Sequence, residues 1–110
     1  MTQPRILIVD QDRAAASTVA RLLGEHGYQP LGPVGSCREA LETAATQRPG
    51  MAIVDLRLSG ACDGVDAALL LREGPGIPVI LLTPASSPDI LARVKKAVPC
   101  CCLALPIDSQ

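Results

Sequence analysis

Met51-Ala52-Ile53-Val54-Asp55 is an apolar run that ends on a carboxylate. A short continuous apolar run of this kind reads as a strand buried on both faces, as in the middle of a parallel sheet. The same pattern stands near the start of the chain, in Arg5-Ile6-Leu7-Ile8-Val9-Asp10, and it too ends on an aspartate. A third run, from Ile77 to Thr83, ends on a hydroxyl. Three buried strands that each stop at a polar side chain set the frame for the rest of the sequence.

Helical stripes fill the gaps between these runs. From Ala14 to His26, apolar residues recur at Ala15, Ala16, Val19, Ala20, Leu22 and Leu23, and Gly27 stops the stripe. Residues 29–34 carry Pro30 and Pro33, so a strand there belongs at a sheet edge. Ser36-Cys37-Arg38-Glu39 predicts a capping box, followed by the stripe Ala40, Leu41, Ala44 and Ala45 and a stop at Pro49-Gly50. A loop from Leu56 to Asp63 leads into a helix from Gly64 to Glu73, broken by Gly74-Pro75-Gly76. Ser87-Pro88 opens a further helix that reaches Val98, with Lys95 and Lys96 in its last turn, where the helix dipole favours cations. Pro99 ends it, and Cys100 to Ala104 forms a last short strand. Strands alternating with single helices need right-handed crossovers and a parallel sheet. The expected fold is a doubly wound α/β domain, (βα)₄β, with no internal repeat or linker. The proline-marked second strand suits the order 2-1-3-4-5. Such sheets carry their sites at the carboxyl ends of the strands.

Composition narrows the function. The chain has 110 residues, enough for one domain spanning 1–110, and 48% of them are apolar, enough for a core. The formal charge is −1, from 10 basic and 11 acidic side chains, which is not the balance of a polybasic nucleic-acid binder or an acidic disordered tail. Tyr28 is the sole aromatic residue, so stacking on bases or sugars is hard to build. No apolar run reaches the ~18 residues of a membrane span. Met1-Thr2-Gln3-Pro4-Arg5 leads into the first strand without a signal-peptide cleavage pattern, so a cytoplasmic location is expected.

The five cysteines are Cys37, Cys62, Cys100, Cys101 and Cys102. Three are consecutive, and neighbours on one strand point to opposite faces, which makes ordinary disulfides among them difficult. There is no Cys-x-x-Cys, and His26 sits in no ligand spacing. The reading is of small buried hydrophobes in a reducing compartment, with thiol redox sensing and a zinc site as the alternatives.

Chemistry gathers at the strand ends. Asp10 and Asp12 flank Gln11 after the first strand, and Asp55 ends the third. If those strands are neighbours, Asp10 and Asp55 converge. Two or three oxygen ligands at one sheet edge suit Mg²⁺, which binds through one or two carboxylates and keeps most of its waters. A carboxylate also serves as a nucleophile toward phosphorus, and a hydroxyl at Thr83 can hydrogen-bond a phosphoryl oxygen. For Asp12, capping of the next helix is the better reading.

From Arg5 to Ile107 the sequence resembles the receiver domain of two-component response regulators. The matching segments are Ile6-Leu7-Ile8-Val9-Asp10, Ala52-Ile53-Val54-Asp55-Leu56-Arg57-Leu58, Asp63-Gly64, Ile77-Pro78-Val79-Ile80-Leu81-Leu82-Thr83 and Leu105-Pro106-Ile107. The resemblance implies a flavodoxin-like fold and a signalling switch rather than an enzyme. It implies a phosphoryl group accepted on Asp55 from a histidine kinase or phosphotransfer protein. It matches Asp10 to one acid of the metal pair, Thr83 to the switch hydroxyl and the backbone carbonyl of Arg57 to a metal ligand. Three positions depart from the family pattern. Gln11 replaces the second acid, so Mg²⁺ is held more weakly. Leu105 replaces the lysine that pairs with the phosphoryl group. Cys102 replaces the switch aromatic. A fifth helix is expected to be absent or truncated, which would leave one sheet face for a second copy or another partner to cover. No direct contact with nucleic acid or membrane is expected. The alternative is a pseudo-receiver, a protein-interaction module of the same fold that works without phosphorylation.

Overall fold

The computed structural model describes residues 4–56, 58, 62–84 and 101–105, the last five and residues 83–84 by their backbone alone. The elements are β1 (Arg5–Val9), α1 (Arg13–Glu25), β2 (Gln29–Val34), α2 (Cys37–Gln47), β3 (Met51–Asp55), α3 (Gly64–Glu73), β4 (Val79–Pro84) and β5 (Cys101–Leu105). The strands form one sheet in the order β2-β1-β3-β4-β5, and every neighbouring pair is parallel. This is the expected doubly wound topology. The helix expected between Ser87 and Val98 and any fifth helix lie outside the described residues.

Burial follows the pleat. Leu7, Val9, Ala52, Val54, Val79 and Leu81 lie in one core cluster with Ala40 and Ala44 of α2 and Val65, Ala68 and Leu71 of α3. Residues between them along the strands point to the opposite face. There Ile6, Ile53 and Ile80 line a cavity with Leu23 of α1 and Tyr28. A fully buried leucine such as Leu7 or Leu81 contributes roughly 2–3 kcal/mol through removal of apolar surface from water.

Strand β2 is the edge strand that Pro30 and Pro33 predict. Its register against β1 slips between Leu7 and Val9, opposite Gly32-Pro33, whose peptide bond is cis. Gly32 has φ +96°, and a Cβ there would come within 2.9 Å of the Ile8 carbonyl oxygen. Only glycine fits this irregular edge. The fourth strand begins two residues later than the Ile77 expected, because the Ile77 amide donates to the Leu71 carbonyl at the end of α3.

The helix caps depart from expectation in an instructive way. Ser36 caps α2 by accepting from the Glu39 amide at 3.2 Å, but the Glu39 carboxylate accepts from Gly35 and not from Ser36. The predicted capping box is therefore half formed, displaced by one residue. A complete box stands on α3 instead: Asp63 accepts from the Asp66 amide at 3.0 Å, and Asp66 accepts from the Asp63 amide at 3.2 Å.

The reading of all five cysteines as free, buried hydrophobes is corrected for two of them. Cys37 and Cys62 form a disulfide across 25 positions of sequence, with Cα atoms 6.1 Å apart. The physical reason is topological: parallel crossovers bring the starts of α2 and α3 side by side on one sheet face. The remaining three cysteines lie outside the residues whose side chains are described.

Two glycines separate backbone fit from helix propensity. A Cβ on Gly64 would come within 2.5 Å of the Asp55 carbonyl oxygen and of the Leu56 Cα, whereas one on Gly24, in α1, meets nothing within 4 Å. Gly64→Ala is expected to destabilise the fold by roughly 1–3 kcal/mol. Gly24→Ala is expected to stabilise it by roughly 0.5–1 kcal/mol. Urea unfolding midpoints of the two variants check this, and equal shifts for both would contradict it.

Candidate functional site

Register creates the site. Val9 pairs with Val54 across β1 and β3, so the next residue on each strand, Asp10 and Asp55, emerges at the same edge. Adjacent strands run about 4.8 Å apart, which sets the scale of the separation. Asp10 is 7% exposed and Asp55 4%, and they are the buried charged residues of the described core. Both line one cleft, together with Gln11 and Asp12. Sequence reasoning expected Asp10 and Asp55 to converge, and they do.

Each neighbour has a distinct local job. The Asp12 carboxylate accepts from the amides of Ala14 and Ala15 at 3.0 and 3.1 Å and caps α1, as expected. The Asp12 amide in turn donates to Asp10 Oδ1 at 2.9 Å, which fixes the Asp10 carboxylate against the turn into α1. Gln11 Nε2 donates to the Gly35 carbonyl at 3.3 Å. The amide nitrogen is thus turned to the β2–α2 turn, and the oxygen is the end with metal-ligating chemistry. Gly35 also donates its N–H to Glu39 at 3.0 Å, so this turn is held from both sides.

On the other flank, the Leu56 amide donates to the Leu82 carbonyl, extending the β3–β4 ladder past Asp55. Thr83 stands one residue beyond Leu82 on β4. Its backbone is therefore at the expected sheet edge, while its hydroxyl lies outside the described residues. Arg57, with the carbonyl expected to ligate metal, also lies outside them, as do the side chains of Cys102 and Leu105.

Two buried carboxylates at one edge are costly unless positive charge or hydrogen bonds compensate them. A hard divalent cation fits this donor set: two carboxylates and an amide oxygen, the ligand types that Mg²⁺ accepts alongside water. Among the described residues no group of three or more His, Cys, Asp or Glu side chains could hold a metal. The Asp10–Gln11–Asp55 set is therefore poorer in charge than a three-acid site, and among the described residues no His or Cys lines this cleft to suit a softer transition metal.

Sequence reasoning missed two contributors. One is the Gly35 backbone, which carries no side-chain signal. The other is the packing of Gly64 against the Asp55 carbonyl, which lets α3 start directly beside the site. The Asp63-x-x-Asp66 spacing was the available cue for that helix start.

Comparison with known proteins agrees with this geometry. The family model for the response regulator receiver domain matches residues 6–108. The transcriptional regulatory protein PdtaR of Mycobacterium tuberculosis is 31% identical over 93 residues, which cover 84% of this chain and 45% of PdtaR. The chain thus spans less than half the length of that curated relative. The signal receiver domain of a modulated diguanylate cyclase from Desulfovibrio desulfuricans G20 is 36% identical, with a TM-score of 0.86 over 97% of this chain and 85% of that one. The receiver domain of the Pseudomonas aeruginosa sensor histidine kinase PA1611, with a magnesium ion coordinated in its active site cleft, shares the fold at 24% identity and a TM-score of 0.81, over 97% of this chain and 88% of that one. With two buried aspartates at the carboxyl edge of a 2-1-3-4-5 sheet and a family match over nearly its whole length, this chain belongs to the receiver domains of two-component response regulators.

Proposed function

We propose that Asp55 accepts a phosphoryl group from a histidine kinase or a phosphotransfer protein, with Mg²⁺ assistance. The observation that carries this reading is the pairing of Asp55 with Asp10 in one cleft, both buried, at the edge where β1 and β3 end. An Asp55 carboxylate oxygen attacks phosphorus, the bond from phosphorus to the donor nitrogen breaks, and an acyl phosphate forms. The released imidazole nitrogen recovers its lone pair and takes a proton from solvent. Asp10, Asp55 and, more weakly, the Gln11 amide oxygen would hold Mg²⁺, joined by the Arg57 carbonyl as the family resemblance implies. The cation would neutralise the phosphoryl oxygens during transfer. The Thr83 hydroxyl is assigned to a phosphoryl oxygen as the switch contact.

The domain acts as a signalling switch rather than as an enzyme, working in the cytoplasm. Among the described residues no helix is long and apolar enough to cross a membrane. Nucleic-acid contact is not assigned to these 110 residues, whose formal charge of −1 gives little to attract phosphate backbones. The pseudo-receiver alternative is disfavoured because the two buried acids of the cleft, Asp10 and Asp55, are in place.

Incubation with acetyl phosphate and Mg²⁺ is expected to add one phosphoryl group to the intact chain. Intact-mass spectrometry reads the adduct, which should be absent from Asp55→Asn and from metal-free samples. An adduct that persists in Asp55→Asn, or none on the native chain with either acetyl phosphate or a phosphohistidine donor, overturns the assignment.

The weakened metal site gives a separate prediction. Gln11→Glu supplies the missing charge at nearly the same side-chain length. Mg²⁺ affinity by calorimetry is expected to rise roughly tenfold, about 1.4 kcal/mol. An unchanged Kd would show that position 11 does not reach the cation.

A further inference from the structure

We propose that Cys37 and Cys62 form a reversible redox-modification site whose reactant is a low-molecular-weight disulfide of the glutathione class. This site is independent of the phosphoacceptor reading. Three observations carry it. The two cysteines are bonded, and their Cα separation of 6.1 Å lies within the ordinary range for a disulfide. Their accessibility is unequal: Cys37 is 9% exposed and belongs to the core cluster, whereas Cys62 is half-buried and opens onto a surface groove with Asp66, Leu69 and Glu73. The reduced state also has partners in place. In the bonded state Cys37 Sγ lies 3.4 Å from the Cys62 carbonyl oxygen and 3.8 Å from that of Asp63, acceptors beside the sulfur for the thiol that forms when the bond opens.

The asymmetry orders the chemistry. The Cys62 thiolate attacks one sulfur of the small disulfide and forms a mixed disulfide, releasing one small thiolate. The Cys37 thiolate then attacks the Cys62 sulfur, closes the internal bond and releases the second small thiolate. Two electrons pass from the cysteine pair to the small disulfide. The two protons of the cysteine thiols end on the two small thiols. A reduced small thiol runs both steps in reverse.

The location gives the bond a consequence. Cys37 is the first residue of α2, and Cys62 immediately precedes Asp63, the cap of α3. Oxidation therefore pins the far end of the loop that leaves Asp55 to the start of a neighbouring helix. Besides Cys37 and Cys62, the core cluster holds apolar residues of α2, α3 and the sheet, so the fold is expected to outlast reduction of the bond.

The test titrates the full chain across ratios of reduced to oxidised glutathione, quenches it with an alkylating reagent and maps tryptic peptides. Cleavage after Arg38 and Arg57 puts Cys37 and Cys62 on separate peptides, apart from Cys100, Cys101 and Cys102. A linked Cys37–Cys62 peptide is expected at oxidising ratios. It should disappear at reducing ratios, with the circular dichroism of the folded chain retained throughout. Cys37→Ser should trap glutathione on Cys62, and Cys62→Ser should leave Cys37 unmodified. Absence of the linked peptide at every ratio overturns the site. So does a linked peptide that glutathione cannot reduce without unfolding, which would mark a purely structural bridge. Adducts on Cys37 in preference to Cys62 overturn the assigned order. The titration of the native chain decides the main point even where a variant fails to fold.

Discussion

The parallel pairing of β1 with β3 is the constraint on which the rest depends. The Val9–Val54 register makes two apolar strands end level with one another, and it fixes where two carboxylates emerge. A slip of one residue would turn one of the aspartates to the other face of the sheet, because side chains alternate with a period of two. The buried faces forbid that slip: Leu7, Val9, Ala52 and Val54 face the same core, and moving any one of them would expose several. The hydrophobic core thus sets the geometry of a polar site to which it contributes no atom.

Around that pairing, local interactions are recruited to hold the site without entering it. Asp12 caps α1 and lends its amide to Asp10. Gly64 brings the α3 start against the Asp55 carbonyl, and the Asp63–Asp66 box locks that start. Gln11 ties the turn after β1 to the turn after β2. Among the described residues, the segments that follow β1, β2 and β3 are therefore held by hydrogen bonds and, at Cys37–Cys62, by a covalent bond. A cleft that must hold two like charges close together needs such support, since repulsion would otherwise splay the strand ends.

Much of this was legible in the residues. Continuous apolar runs identified β1, β3 and β4, and Pro30 with Pro33 put β2 at the edge. An aspartate after a strand often just caps the next helix, so Asp10 and Asp55 could be picked out only because they, with Thr83, end three buried strands in order. Other features left no trace at the level of pattern. Capping chemistry at Ser36 shifted by one position because the Glu39 carboxylate accepts from the Gly35 amide, a choice that spacing alone does not reveal. The disulfide was invisible because cysteine pairing depends on which helix starts become neighbours, and 25 residues separate the partners.

On the proposed reading, the β1–β3 edge makes Asp55, and no other carboxylate, the acceptor. Borohydride reduction of the chain after treatment with a phosphohistidine donor and Mg²⁺ tests it most directly, because hydride converts an aspartyl phosphate to homoserine and marks the residue permanently. Mapping of the tryptic peptides should find homoserine at position 55, in the peptide that ends at Arg57, and unmodified aspartate at positions 10, 12 and 63 in the peptides that end at Arg13 and Arg72. Homoserine at any of those other positions, or none at position 55, would contradict the account.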